Sequence, residues 1–266
     1  MTFGDSRMRA TYLSVQHKLR TKSAALLLSI ETQLPRIMTF WFALALLASA
    51  VRIISSPIHG APDFLTFAPY VLLVGAPLAS MGLALIWFRN AGELPQPKTR
   101  LAIIGRWRNV SPDGARRHPL YGSSGIMVSL LVGILLNVPV RALEYLAAMP
   151  ALSGSVPEWL STLRIAMTLD VVLLSSLYTI AFVAALRRVP LFPRLLVTIW
   201  LIDIAMQLGI ATVVAGAEGL PGQVADALHT LLDGNVKKVM ISVCLWLPYL
   251  LLSKRVNVTF RHRVEA

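Results

Sequence analysis

The composition of this 266-residue chain excludes an ordinary soluble domain. Hydrophobic residues make up 56% of it and charged residues only 14%, with a mean hydropathy of +0.66. A soluble domain keeps far more charge on its surface. We therefore predict an integral membrane protein. The net charge of +12 would favour nucleic acid in a soluble protein, but here it follows the predicted membrane topology and we expect no nucleic-acid partner.

Six apolar runs are long enough, or nearly so, to cross a hydrocarbon core about 30 Å thick as helices. In chain order they lie at about residues 37–54, 64–88, 123–140, 165–186, 195–216 and 239–253. The sequence therefore predicts an all-α bundle of six transmembrane helices. We divide the chain into an N-terminal segment (1–36), two spans with a basic loop (37–122), and four spans with a basic tail (123–266).

Lysine and arginine are distributed unevenly among the segments that join the spans. The N-terminal segment, the loop after span two, the turn after span four and the C-terminal tail are rich in them, and the intervening loops have few or none. Because cytoplasmic loops carry the excess of Lys and Arg, both termini are predicted to be cytoplasmic. The basic loop at residues 89–117 contains LAIIGRWRNV, which is either a topology signal or a segment that docks on the anionic inner leaflet.

Two shorter segments have the pattern of amphipathic helices. Residues 221–234, PGQVADALHTLLDG, place their apolar side chains on one face, so we expect a separate helix on the outer membrane surface. Residues 23–34, before Pro35, predict a cytoplasmic counterpart that leads into span one.

One short motif resembles a nucleophile site. Residues 121–125, YGSSG, contain Gly-x-Ser-Gly, similar to the nucleophile motif of rhomboid intramembrane proteases, with Ser124 as the serine. That chemistry needs a histidine within the membrane to accept the serine proton, but all five histidines fall in predicted loops or tails. We therefore expect a small-residue helix start, in which serine caps free backbone N–H groups, and no catalytic residue.

The histidines and the cysteine do not form the pattern of a metal site. The histidines are scattered singly, without the His-x-x-x-His or Glu-x-x-His spacing of zinc and di-iron sites. The single cysteine, Cys244, excludes an internal disulfide and a cysteine cluster. No glycine-rich phosphate loop is present. We expect no metal and no cofactor.

Asp170 is the first of two candidate functional aspartates within the predicted spans. It lies about 8 Å below the outer boundary of span four. Arg141, Arg164 and either Lys237 or Lys238 lie at or near the same level. We therefore expect an ion pair that joins spans three, four and six.

Asp203 is the second candidate, and it lies in the apolar stretch TIWLIDIAMQ. It is about 12 Å from the inner boundary of span five, where the predicted spans offer hydroxyl groups and an indole but no cation. Gln207 lies one turn along the same helix face. Asp203 is therefore either a neutral acid in an interhelical hydrogen bond or a titrating site open to water.

The C-terminal end carries a more specific motif. Residues 245–260, LWLPYLLLSKRVNVTF, resemble the ending of the bacterial membrane family called domain of unknown function 2569, which has Trp-x-Pro-Tyr followed by Ser-Lys-Arg-Val-x-x-Thr-Phe. The matching residues are Trp246, Pro248, Tyr249, Ser253, Lys254, Arg255, Val256, Thr259 and Phe260. A basic turn with Phe-Pro at residues 185–197 is a second similarity. The resemblance covers about residues 120–263 and implies a multi-pass protein of the bacterial inner membrane, without an established activity.

Three hypotheses for function remain open. We favour a non-catalytic accessory, regulatory or partner-binding component, whose partners would be the anionic inner leaflet and a membrane or cytoplasmic protein. Its VNVTF segment is expected to run along the membrane surface. The alternative is a small proton-linked transporter or channel with Asp203 as the titrating site. A membrane-embedded enzyme ranks last, because it would need clustered Asp, His or Arg at a membrane face.

Overall fold

The helices of the protein are long, and most of them are built from the apolar runs. A computed structural model describes residues 3–56, 64–101, 104–154 and 156–266, with the backbone alone for residues 3–20. In these ranges the helices are α1 (Phe3–Ser55), α2 (Phe64–Trp87), α3 (Pro112–Arg117), α4 (Ile126–Ala148), α5 (Glu158–Leu186), α6 (Phe192–Ala215), α7 (Gly222–Leu252) and α8 (Lys254–Arg261). All except α3 and α8 are long and apolar enough to cross a membrane. The predicted helical bundle is therefore confirmed, while the side that each end faces stays a prediction.

Several helices extend well beyond their apolar runs. α4 continues to Ala148 rather than ending near residue 140, and α7 begins at Gly222 rather than near residue 239. The separate surface helix predicted at residues 221–234 is therefore wrong, because this segment is the first part of α7. Similarly, residues 23–34 belong to α1, which is continuous through Pro35.

Ion pairs explain why charged residues interrupt the apolar runs but not the helices. Within α7, Lys237 Nζ lies 2.6 Å from Oδ2 of Asp233, one turn earlier. Lys238 of α7 pairs with Glu144 of α4. A charge that has a partner can stay on a helix near the membrane, since pairing offsets part of its desolvation.

The centre of the bundle is α5, which packs against α2, α4 and α6. In its most apolar stretch 67% of the residues are buried within the protein, against 11% in α1 and 17% in α7. α1 and α7 therefore lie at the periphery and direct apolar side chains such as Phe40 and Ile241 outwards, as lipid-facing helices do.

The end of α1 is fastened to the end of α4. Arg52 Nε donates to the carbonyl oxygen of Met149 at 3.1 Å. The backbone N–H of Ala151 donates to Ser56 Oγ at 2.8 Å. Arg52 thus satisfies a carbonyl just beyond the last turn of α4.

A small folded unit covers the opposite end of the bundle, where α4 and α6 begin. We call it the cap and define it as residues 89–121, apart from 102–103, with residues 253–266. Strand β1 (Trp107–Asn109) of the loop pairs antiparallel with β2 (Arg263–Glu265) of the tail. α8 is packed against the bundle, with Asn257 and Thr259 fully buried. The VNVTF segment is therefore buried within the protein, and its position relative to the membrane surface stays a prediction.

Candidate functional site

One arginine and two aspartates from three helices meet inside the bundle. Arg141 of α4 donates from Nη1 to Oδ2 of Asp170 on α5 at 3.0 Å. Its Nη2 donates to both carboxylate oxygens of Asp203 on α6. The three residues are 8%, 6% and 0% exposed, respectively. We call them the buried triad.

The partner of Asp203 corrects the sequence analysis, which predicts no cation at its level. The apolar run places Arg141 at the end of span three, but α4 runs on to Ala148, so Arg141 lies about 10 Å inside that helix end. Asp170 also pairs with Arg141, one of the cations predicted for it, whereas Arg164 Nη1 donates to the carbonyl oxygen of Leu152 at 3.4 Å. The position of Arg141 inside α4 therefore explains both the predicted ion pair with Asp170 and the ion pair with Asp203 that was not predicted.

Two further side chains hold the triad in place. Tyr178 Oη of α5 donates to Oδ2 of Asp203 at 2.8 Å. Arg141 Nε donates to Oδ1 of Asn137, one turn earlier on α4, at 3.0 Å. Each guanidinium nitrogen of Arg141 therefore has an acceptor within the bundle.

A chain of amide groups connects the triad to α7. Gln207 Nε2 donates to Oδ1 of Asp170 at 2.9 Å, and Asn235 Nδ2 donates to Oε1 of Gln207 at 3.2 Å. Lys238 Nζ in turn donates to Oδ1 of Asn235 at 3.3 Å. Gln207 lies one turn from Asp203, as the sequence predicts, but its amide binds Asp170. We call the triad with these neighbours the polar network; it links α4, α5, α6 and α7.

The charge of the polar network determines what it can do. The triad has one guanidinium for two carboxylates, while Lys238 and Glu144 compensate each other. Buried charges are tolerated only when they are paired and hydrogen-bonded. The network can therefore fasten four helices together, or it can take up one proton to cancel its excess negative charge. In the part of the chain that the structure describes, no group of three or more His, Cys, Asp or Glu side chains could hold a metal ion.

The first half of the C-terminal motif lies on the last turns of α7. The rings of Trp246 and Tyr249 meet edge to face, with centroids 6.0 Å apart. Pro248 lies between them inside the helix. Ser253 then ends α7 and begins α8, where its Oγ accepts the backbone N–H of Val256 at 3.5 Å. This half of the motif makes a corner between two helices.

The second half of the motif joins the tail to the segment that precedes α4. Arg255 Nη1 donates to the carbonyl oxygens of Leu120 and Gly122 at 3.3 Å each, and to Ser124 Oγ at 2.9 Å. Lys254 pairs with Glu265 of β2. The motif therefore positions the cap on the bundle.

Ser124 differs from its predicted role as a helix cap. The residue at the start of α4 is Gly125, which has a positive φ of 75°. As a glycine, it has no side chain to cap the N–H groups of α4. Its backbone N–H donates to Ser23 Oγ of α1 at 2.8 Å. The described hydrogen bond of Ser124 is the one from Arg255. Ser124 therefore contributes to the corner that holds the tail.

The two asparagines of the polar network are not among the site residues predicted from the sequence. Asn137 lies four residues before Arg141, and Asn235 lies three residues before Lys238. Both spacings place the amide and the charged group on the same helix face. This spacing is a signal that would have connected both asparagines to the charged residues.

One protein family includes the polar network and the C-terminal motif. The family described as Protein of unknown function (DUF2569) matches residues 123–261, from the start of α4 to the end of α8. α1, α2 and the basic loop lie outside the match. No curated protein and no solved structure matches the chain significantly. Because the match covers more than half of the chain, the protein belongs to this family of unknown function, DUF2569.

Proposed function

We propose that the protein is a non-catalytic component of the bacterial inner membrane that binds another protein through its cap. The observation that carries the proposal is the folding of loop and tail into one basic unit, joined by β1 and β2. Cap segments 89–121 and 253–266 contain eleven Lys and Arg but three Asp and Glu. The partner would therefore present an acidic surface, because complementary charge steers and selects partners.

The fixed geometry of the cap supports a role beyond topology. A topology signal needs positive charge near the membrane but no folded structure. Here Arg106 and Arg108 flank or lie in β1, so their exposed side chains have defined positions. Neither forms an ion pair among the described residues. Such side chains remain available to a partner.

Three further observations support the proposal. The distribution of Lys and Arg favours a cytoplasmic cap, and the family resemblance favours the bacterial inner membrane. Asp203 is fully enclosed by the protein, which favours a structural role for the triad over a site open to water.

Co-purification in mild detergent tests this function. Arg106→Gln with Arg108→Gln removes two exposed charges from the cap. Lys22→Gln with Arg36→Gln removes two exposed charges from α1 and is the matched control. We expect a partner with an acidic segment to co-purify with the wild type and the control, to elute with salt, and to be lost from the cap variant. Equal retention by both variants would contradict the proposal.

A second candidate function is a small proton-linked transporter or channel. One observation favours it, namely that Asp170 and Asp203 share a single guanidinium within the bundle. One proton would bring this cluster to neutrality, and proton relays in membranes use such carboxylates. The groups facing the pair are Arg141, Tyr178 and Gln207.

Infrared spectroscopy of carboxyl groups distinguishes the second candidate. A protonated-carboxyl band that titrates between about pH 5 and pH 9 and disappears in Asp203→Asn or Asp170→Asn would support proton uptake. Reconstituted vesicles with a pH gradient should then release protons only when the wild type is present. A spectrum without such a band would reject this candidate.

A further inference from the structure

A small open recess lies where the cap meets the start of α6. Its volume, counting the part that is open to solvent, is about 210 Å³. The cap loop contributes Gln96 and Arg100, α8 contributes Arg261, and the first turn of α6 contributes Pro193 and Arg194. Three arginines thus line the recess, and no Asp or Glu is among the described residues that line it.

The arginines of the recess have only neutral described partners. Arg261 is 3% exposed and donates to Oδ1 of Asn257 at 3.1 Å and to the carbonyl oxygen of Leu250 at 2.9 Å. Arg100 Nη1 donates to Oδ1 of Asn109 at 2.6 Å and to the carbonyl oxygen of Arg261 at 3.1 Å. In the described part of the chain, Arg100, Arg194 and Arg261 form no salt bridge. The positive charge of the recess is therefore uncompensated.

The surroundings of the recess repel further positive charge. Burial, assisted by Arg263, lowers the pKa of Arg261 to about 10. Burial and Arg263 also lower the pKa of Arg100. Burial lowers the pKa of His262 next to them, and Arg100 contributes to that shift. All three shifts disfavour the charged form, and a bound anion would reverse the part that comes from repulsion.

An unpaired acceptor also lines the recess. Gln96 donates from Nε2 to the carbonyl oxygen of Phe260 at 3.2 Å, but its buried Oε1 accepts no hydrogen bond in the described structure. A buried acceptor without a donor is unfavourable. A ligand that brings a hydroxyl group as well as negative charge would satisfy it.

We propose that the recess binds a phosphate group, carried either by an anionic phospholipid headgroup or by a soluble phosphate. Guanidinium groups bind phosphate through charge-assisted and often bidentate hydrogen bonds. A hydroxyl on the phosphate or on the headgroup would donate to Gln96. The recess lies at the first turn of a helix that is long and apolar enough to cross a membrane, so the headgroups of a bilayer around that helix would lie near it. The site is distinct from the exposed arginines assigned to a protein partner.

Thermal unfolding of the purified full-length protein tests the site. One series contains inorganic phosphate in detergent, and the other contains the protein in phosphatidylcholine vesicles with or without phosphatidylglycerol. Arg194→Gln removes a charge that is partly exposed and outside the buried contacts of α8, so the variant should fold. Arg108→Gln is the matched control, because it removes one cap charge outside the recess.

Ligand binding should raise the unfolding temperature of the wild type and of Arg108→Gln. Arg194→Gln should weaken this effect as if affinity fell about tenfold, since one charge-assisted contact is lost. Stabilisation by inorganic phosphate identifies a soluble ligand, and stabilisation by phosphatidylglycerol alone identifies a lipid; each supports the site if Arg194→Gln reduces it. No stabilisation in either series, or equal stabilisation of both variants, would overturn the proposal.

Discussion

The buried triad and the recess of the cap use arginine in opposite ways. In the triad, one guanidinium lies between two carboxylates. In the recess, three arginines lie together and their described partners are neutral. The two regions are joined through α6, which contributes Asp203 to the first and Arg194 to the second.

This difference indicates where the charges that neutralise each region come from. Within the membrane no solvent compensates an unpaired charge, so the protein supplies both signs itself. At the membrane surface, water and ions tolerate an excess of cations until an anionic partner replaces them. We therefore expect changes in the triad to affect stability and changes in the cap to affect binding.

The largest effect is expected from Arg141→Gln. This substitution leaves Asp170 and Asp203 as two carboxylates without a cation, and breaking a buried pair in this way costs about 3–5 kcal/mol. Folded yield and thermal unfolding in detergent measure the loss. Arg108→Gln, at an exposed cap position, should change stability by no more than about 0.5 kcal/mol. Equal stability of the two variants would remove the distinction between the two regions.

Asp203→Asn should have a much smaller effect than Arg141→Gln. Asp170 still pairs with Arg141 in this variant, and the excess negative charge of the triad is gone. Since interhelical hydrogen bonds in membranes average about 0.6 kcal/mol, we expect a loss of no more than about 1 kcal/mol in the same unfolding assay. A loss as large as that of Arg141→Gln would show that the carboxylate itself, and not the balance of charge, stabilises the bundle.

Ser124→Ala tests the corner that holds the cap. Arg255 loses one acceptor but keeps the carbonyl oxygens of Leu120 and Gly122, so the loss should be about 0.5–1.5 kcal/mol. Binding of the partner should be unchanged. Covalent labelling of the wild type by a serine-directed probe, lost in Ser124→Ala, would instead identify a nucleophile.

The smallest effect is the pH dependence of the cap. Because the pKa of His262 is lowered in the folded protein, the unfolded cap binds a proton more tightly. The cap should therefore lose stability as the pH falls below about 6.5, the ordinary value for histidine. Hydrogen exchange of the Val110 N–H, which donates to the His262 carbonyl oxygen at 3.0 Å, measures this loss. In His262→Gln, the protection of this N–H should no longer fall as the pH drops below about 6.5. If the loss of protection persists in this variant, a group other than His262 causes it.

The sequence predicts the helices well because lipid-crossing segments must be apolar and helical. It predicts their ends poorly where a charged residue has a partner in another helix. Arg141 follows the last residue of the apolar run in α4, yet α4 continues to Ala148. Lys238 precedes the first residue of the apolar run in α7, yet α7 already begins at Gly222. Ion pairs between distant residues determine where these helices begin and end. A count of apolar residues along one helix does not include such pairs.

The candidate site was partly predictable for the same reason. Depth along the helices brings Asp170 and Arg141 to one level, whereas the link to Asp203 depends on the true length of α4. The cap was not predictable, because its strands have three residues each and pair across more than 150 positions of the chain. The recess combines residues of the loop, of α6 and of α8, so only the folded chain brings its arginines together.

The central claim is that the cap binds a partner while the triad stabilises the bundle. The most direct test is one co-purification experiment that compares Arg106→Gln/Arg108→Gln with Asp203→Asn, each reconstituted at equal amounts of folded protein. Our account predicts that the cap variant loses the acidic partner and that Asp203→Asn retains it. Loss of the partner from Asp203→Asn, with retention by the cap variant, would contradict the account.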